Sequence, residues 1–255
     1  LKADYIFAFN KSFCKLYEKG ISAKVLPLGS FKNNMIKINK TVKKNTILFI
    51  SSGYPGGRDG GKGKYYEFYK SVKIEKTTFH KPDEILFKNI SDYCEKNKIN
   101  LEFITRGRGQ ESKKEIEFFK KLTQNKSIIY HYRPYEYIDH KYKIYSFSDK
   151  YSACVSTHSS IGIENLARGN RTAIFNNKTI VSKNVMNLFW NYNISPKGSF
   201  WSDDTSFGEV TRILDFVVKS KDEDWMKKSK EVNEEFMIYD RNNEKLLKIL
   251  DSNSD

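Results

Sequence analysis

The sequence predicts a doubly wound α/β fold around a parallel sheet, and three observations carry the prediction. Apolar runs rich in β-formers alternate with helical patterns roughly every 25 residues between positions 46 and 176, the spacing that βαβ units need. Turn residues bound the runs. Hydrophobic residues are 38% of the 255-residue chain and charged residues 30%, enough apolar material for a core and against global disorder. No stretch approaches the ~18 apolar residues of a membrane-spanning helix.

Thr46–Ile50 is a short apolar run followed at once by Ser51, Ser52 and Gly53, and reads as a buried strand. Asp83–Lys96 places Ile85, Leu86, Ile90, Tyr93 and Cys94 on one helical face, with Pro82 at the helix start. Ile99–Thr105 is a second strand, ending in Arg106-Gly107-Arg108-Gly109. Glu111–Leu122 is a helix with Ile116, Phe119 and Leu122 inward, and Ser127–Tyr130 a third strand. The aromatic stretch Tyr135–Phe147 is irregular or helical. Tyr151–Ser156 is a fourth strand, Ile161–Arg168 a helix and Thr172–Phe175 a fifth strand. Upstream, Asp4–Phe9 and Val25–Leu28 read as strands around a helix at Ser12–Lys19, with Lys32–Lys44 as a linker. The tail, Asp222–Leu250, is helical, with Trp225, Val232, Phe236, Leu246, Leu247 and Leu250 as its apolar positions.

Lys and Arg number 45 against 31 Asp and Glu, a formal net charge of +14. Such a charge suits an anionic partner: nucleic acid, an acidic membrane surface or a nucleotide phosphate. The Lys are scattered as on any solvated surface, so the sparser Arg carry more information. Cys14, Cys94 and Cys154 lie far apart, and the four His form no ligand pattern. No metal, cofactor or disulfide framework is therefore expected, and a reducing, cytoplasmic setting fits. Leu1-Lys-Ala-Asp-Tyr5 has neither an initiator Met nor a signal pattern, so residues 1–40 read as the end of a domain lying mostly upstream.

Ligands of doubly wound sheets bind beyond the carboxyl ends of the strands. Those ends are residues 51–54, 106–109, 132–134 and 157–160. Gly56–Gly63 nearly matches a P-loop, but Gly63 stands where a Mg²⁺-binding hydroxyl is required; it reads as a glycine-rich loop. Arg106 and Arg108 at a strand end suit a phosphate or carboxylate, or else form a solvated turn. The strongest signal is Ser156–Asn170, spelled STHSSIGIENLARGN. Thr157, Ser159 and Ser160 place hydroxyls where a helix N-terminus can bind an anion. Gly162 permits close approach. Glu164, one turn below Ser160, can accept hydrogen bonds from a ribose diol, or can lie on the surface behind an ordinary N-cap.

This run resembles the donor-nucleotide motif of bacterial surface-polysaccharide glycosyltransferases of the GT-B fold, closest to the Kdo-transferase-like group. The stretch Gly29-Ser30-Phe31-Lys32-Asn33-Asn34 is similar to that family's G-S-x-x-N-N, and the S-S motif is more distantly similar to CDP-glycerol glycerophosphotransferases. The resemblance implies a remnant of an N-terminal domain plus linker at 1–40, a Rossmann-like nucleotide-sugar-binding domain at 41–221 and C-terminal helices at 222–255. It implies a CMP-activated acidic sugar, inverting transfer without a bound metal, and a glycan or lipid-linked acceptor reached at the inner face of the membrane. Ser52, Gly53, Arg106, Arg108, Thr157, Ser159, Ser160 and Glu164 would bind the donor. The family's base usually lies in the N-terminal domain, so no catalytic residue is assigned; His80 and His131 would be examined first if these residues alone sufficed. The rival readings are a CDP-polyol phosphotransferase or UDP-sugar enzyme on the same scaffold and a basic nucleic-acid-binding protein, the last disfavoured because the strands look buried on both faces.

Overall fold

A computed structural model describes residues 3–37, 43–56, 63–68, 72–124, 126–133, 143–157, 159–181 and 194–252. The chain opens with a small unit, β1 (Tyr5–Ala8), α1 (Lys11–Glu18) and β2 (Lys24–Pro27), in which β1 and β2 pair in parallel. Asn10 starts α1 by accepting the Phe13 N–H at 2.8 Å, an N-cap that its short polar side chain favours. A one-turn helix, α2 (Phe31–Asn34), follows where the sequence predicts linker.

The main unit begins with β3 (Lys43–Ile50) and an antiparallel hairpin of β4 (Tyr65–Phe68) and β5 (Val72–Glu75). It continues through α3 (Lys76–Lys96), β6 (Asn100–Ile104), α4 (Gln110–Leu122), β7 (Ile129–His131), α5 (Lys143–Ser148), β8 (Tyr151–Ser156), α6 (Ser160–Ala167), β9 (Thr172–Phe175) and β10 (Trp201–Ser202). Three further helices follow, α7 (Phe207–Lys219), α8 (Asp222–Phe236) and α9 (Glu244–Asp251). The six-stranded sheet runs β7-β6-β3-β8-β9-β10 with every pair parallel. In chain order this is the 3-2-1-4-5-6 arrangement, whose winding reverses between β3 and β8. The doubly wound Rossmann-like sheet predicted from the sequence is present.

Side chains of β3 alternate between two cores, as a strand buried on both faces requires. Ile47 and Phe49 pack with Phe87, Phe103 and Phe119, and Leu48 and Ile50 with Ile104, Ile144 and Ile161. No helix among the described residues is long and apolar enough to cross a membrane.

Several elements depart from the sequence reading. Helix α3 starts at Lys76, so Pro82 lies inside it rather than at its start. Proline removes a helical N–H donor, yet the flanking turn is held from outside: Lys178 Nζ donates to the Phe79 carbonyl at 2.6 Å. The hairpin, β10 and α7 have no counterpart among the elements expected from the sequence. Of the stretch 135–147, residues 135–142 lie outside the described residues and 143–148 are helical. Residues 57–62 of the glycine-rich stretch also lie outside them.

After α8 the chain crosses back to the N-terminal unit. The Ile238 N–H donates to the Phe9 carbonyl at 2.9 Å, and Asn10 Nδ2 to the Phe236 carbonyl at 3.0 Å. Gly29, at φ +73°, leaves room for this crossing: a Cβ there would sit 1.9 Å from the Ile238 carbonyl oxygen. Asn34 is buried, accepting the Asp240 N–H at 3.0 Å and donating to Asn243 at 2.8 Å. Asn33 accepts from Arg168 of the α6 C-terminus, which also pairs with buried Asp149. Gly29 and Asn34 are thus joints between the first and last parts of the chain, and Asn33 ties the first unit to the end of α6.

Candidate functional site

The ends of β3, β6, β7 and β8 converge on a cleft of about 170 Å³ lined by Ser51, Ser52, Arg106, Arg133, Ser159, Ser160 and Ile161. It lies where β3 meets β8, the switch point at which such sheets bind ligands. Two guanidiniums and four hydroxyls face it, with no carboxylate among the lining residues. Ser159 is the N-cap residue of α6, but its side chain makes no capping hydrogen bond. The dipole of α6 adds partial positive charge at the same point. The arrangement has the charge and donors that suit an anion.

Gly162 allows α6 to start this close to the sheet. A Cβ at Gly162 would stand 2.2 Å from Ser156 Cβ and 2.3 Å from its Oγ. Its close approach is therefore to the strand β8, as helix–strand packing in dinucleotide folds requires, and not to a ligand.

On the opposite wall, Gly53 takes φ +114°, a backbone that glycine favours. The Arg106 side chain and the His80 ring lie against the place its Cβ would occupy, at 3.6 and 3.7 Å. Arg106 Nη1 donates to the Ser52 carbonyl at 2.7 Å. Behind Ser52 is a buried polar cluster. Asp83 accepts from Lys178 Nζ, from Asn177 Nδ2 at 2.8 Å and from Ser52 Oγ at 3.3 Å. His80 Nδ1 lies 3.2 Å from Asp83, and its Nε2 lies 2.9 Å from the Tyr66 hydroxyl of the hairpin. Burial pushes the Asp83 carboxyl up, but Lys178 and His80 outweigh it and hold the group well below the usual carboxylate range. Burial lowers both His80 and Lys178.

Of the residues singled out in the sequence, the structure brings Ser52, Arg106, Ser159 and Ser160 into the cleft, with Gly53 beside Arg106. Arg108 is exposed in the loop before α4 and outside the cleft lining. Thr157 is fully buried, and its Oγ1 has no hydrogen-bond partner among the described residues. Glu164 stands apart from the lining at 6% exposure; it accepts the Ser30 hydroxyl at 2.7 Å, and Tyr145 also donates to it. Burial raises its carboxyl above the ordinary range. In this arrangement a hydroxyl of the N-terminal unit occupies the carboxylate expected to meet ribose. Ser51, Arg133 and Ile161 also line the cleft; they are not among the donor-binding residues expected from the sequence, although Ser51 and Arg133 fall within the strand ends 51–54 and 132–134. No cluster of His, Cys, Asp or Glu suited to a metal occurs among the described residues.

A 3-2-1-4-5-6 parallel sheet with a polar cleft at its switch point is a doubly wound, Rossmann-like architecture of the kind GT-B proteins contain. The chain belongs to a family of O-antigen biosynthesis proteins: the family model described as "putative O-antigen biosynthesis protein" matches residues 1–254. Comparison with the curated proteins yields no match. Among solved structures, the chain shares its fold with the Methanocaldococcus jannaschii UDP-GlcNAc 2-epimerase, solved in complex with UDP-GlcNAc and UDP, at TM-score 0.51 and 12% identity. TarM is similar at TM-score 0.48 and 11% identity. Both matches cover 98% of this chain, which spans 61% of the epimerase and 43% of TarM.

Proposed function

We propose that the chain is the donor-binding half of a glycosyltransferase of O-antigen assembly, and that the cleft takes the phosphate of a nucleotide-activated sugar. The observation that carries the reading is the cleft's lining: Arg106, Arg133 and four serine hydroxyls, two at the end of β3 and two at the start of α6, at the switch point of the sheet. In glycosyl transfer an acceptor hydroxyl displaces the nucleotide from the anomeric carbon, and negative charge grows on the departing phosphate. Guanidiniums and a helix N-terminus aimed there stabilise that charge. Arg106, Ser159, Ser160 and Ser52 hold the phosphate in this proposal. Glu164 reaches a ribose by exchanging the Ser30 hydroxyl for the ligand's.

The CMP-linked, Kdo-like acid implied by the sequence motif fits two guanidiniums if one meets the phosphate and the other the sugar carboxylate. A UDP-sugar is the second reading, favoured by the ligands of the epimerase structure; the two guanidiniums would then share a diphosphate. The acceptor is a glycan or lipid-linked glycan, and the net charge of +14 would draw the protein to an anionic membrane from the cytoplasmic side.

A thermal-shift series with CMP, CDP, UDP and GDP tests the reading, with Arg106→Gln as the control. One nucleotide should raise the melting temperature of the wild type, with the shift reduced in the variant. No shift with any nucleotide, or tight binding of nucleic acid with a steep salt slope, would overturn it. Transfer from CMP-Kdo or UDP-GlcNAc, with and without upstream sequence, then locates the base.

A further inference from the structure

We propose that two buried carboxylates, Asp83 and Glu115, are positioning residues that grip consecutive serines at the end of β3 and through them aim Arg106 into the cleft. The proposal rests on the reading of that cleft as a phosphate site. Glu115, on α4, accepts the Ser51 hydroxyl at 2.5 Å, the Arg106 N–H at 3.1 Å and the Gly107 N–H at 3.0 Å. Asp83, on α3, accepts the Ser52 hydroxyl at 3.3 Å, and the Ser52 carbonyl in turn accepts Arg106 Nη1 at 2.7 Å. The backbone of Arg106 therefore hangs from one carboxylate, and its guanidinium from the serine held by the other.

Both carboxylates are nearly inaccessible, Glu115 at 1% and Asp83 at 2% exposure. A buried ion pair such as Asp83–Lys178 is seldom more stable than apolar side chains of the same volume. Yet the donors these two collect from strand ends belong to residues of the cleft wall or, for Gly107, to the neighbour of one. Preorganised cationic groups bind and stabilise phosphate better because they need not be ordered when the ligand arrives. The arrangement orders Arg106 in advance from two directions, on two helices that flank β3.

The test is a double-mutant cycle. Glu115→Gln and the charge-compensated pair Asp83→Asn with Lys178→Met are each made alone and with Arg106→Gln. Calorimetry with UDP and CMP gives Kd, melting temperatures report folding, and the Arg106 Nε–H resonance in ¹⁵N-arginine-labelled protein, assigned by its loss in Arg106→Gln, reports the guanidinium. Each variant should raise Kd by about tenfold when Arg106 is present and by less than about twofold when it is absent, and should shift the Arg106 resonance. A merely structural role would give losses that add in full on the Arg106→Gln background and leave the resonance in place. Either result overturns the proposal, as does an unchanged Kd in Glu115→Gln, which carries the test alone if the paired variant does not fold. A wild type that binds nucleotide while the variants bind equally well removes the positioning proposal only. A wild type that binds neither nucleotide removes the phosphate-site reading and the proposal with it.

Discussion

Replacing Gly162 by Ala separates packing from intrinsic helix preference, because the two act in opposite directions. In an ordinary helix interior the change stabilises by about 0.5–1 kcal/mol, chiefly through the unfolded chain's lost freedom. Here the new methyl would sit 2.2 Å from Ser156 Cβ and 2.3 Å from Ser156 Oγ. Such overpacking costs about 1–3 kcal/mol. The expected outcome is therefore a net loss of about 1–2 kcal/mol. Deleting the obstacle reverses the sign. In a Ser156→Gly background the nearest remaining atom is the residue 156 Cα at 3.7 Å, an ordinary contact. There the same Gly162→Ala change should stabilise by about 0.5–1 kcal/mol. Urea unfolding of the four proteins measures both differences. Nucleotide affinity should follow, since backing α6 off the sheet carries Ser159 and Ser160 with it. Stabilisation by Gly162→Ala on the wild-type background would refute the reasoning.

If Glu164 serves ribose, Glu164→Ala should weaken nucleotide binding by about 1.5–3 kcal/mol, and Ser30→Ala should tighten it by removing the internal competitor. Calorimetry decides; an unmoved Kd in both would make Glu164 a structural tie between α6 and the N-terminal unit. Asp83→Asn alone leaves Lys178 charged and buried, and should cost about 3–5 kcal/mol of stability in denaturant unfolding, most of it recovered when Lys178→Met is added. His80, lowered by burial, stays neutral in the fold at pH values where the unfolded chain takes up a proton. Stability is thus lost as pH falls below about 6.5. His80→Gln should lose less stability than wild type between pH 7 and pH 5, and the comparison isolates it from Glu115 and Glu164, which burial shifts the other way. An equal loss in both proteins would assign the acid sensitivity elsewhere.

The central strands that form the site, β3, β6 and β8, were legible because their residues are buried on both faces, unlike those of the edge strand β7, where Ile129 is exposed. Thr46–Ile50 and Tyr151–Ser156 are runs that no helix or surface would carry, and turn residues close them. Arg106 and the serines before α6 stood out because strand ends of such sheets face ligand. Helix α7 carries a signal of its own: Val210, Ile213, Leu214 and Val217 follow the helical period and are all buried. Other features had no local signal. Asp83 meets Lys178 across 95 positions and Glu164 meets Ser30 across 134, and helical spacing names a face without naming what packs on it. Pro82 marked a boundary by its usual rule, and tertiary contacts from Lys178 overrode it.

The joint between Asn34 and Asp240 bridges 206 positions. During synthesis the first strands leave the ribosome long before their clasp exists. At about 5–20 residues per second the delay is roughly 10–40 s. Through that interval β1 and β2 have each other but neither Ile238 nor Asp240. The six-stranded sheet, whose last strand ends at Ser202, can close first. A ribosome stalled with residue 220 just clear of its exit would therefore display the paired strands β3–β10 while the β1–β2 unit is still unclasped and more open to proteases than in the completed chain.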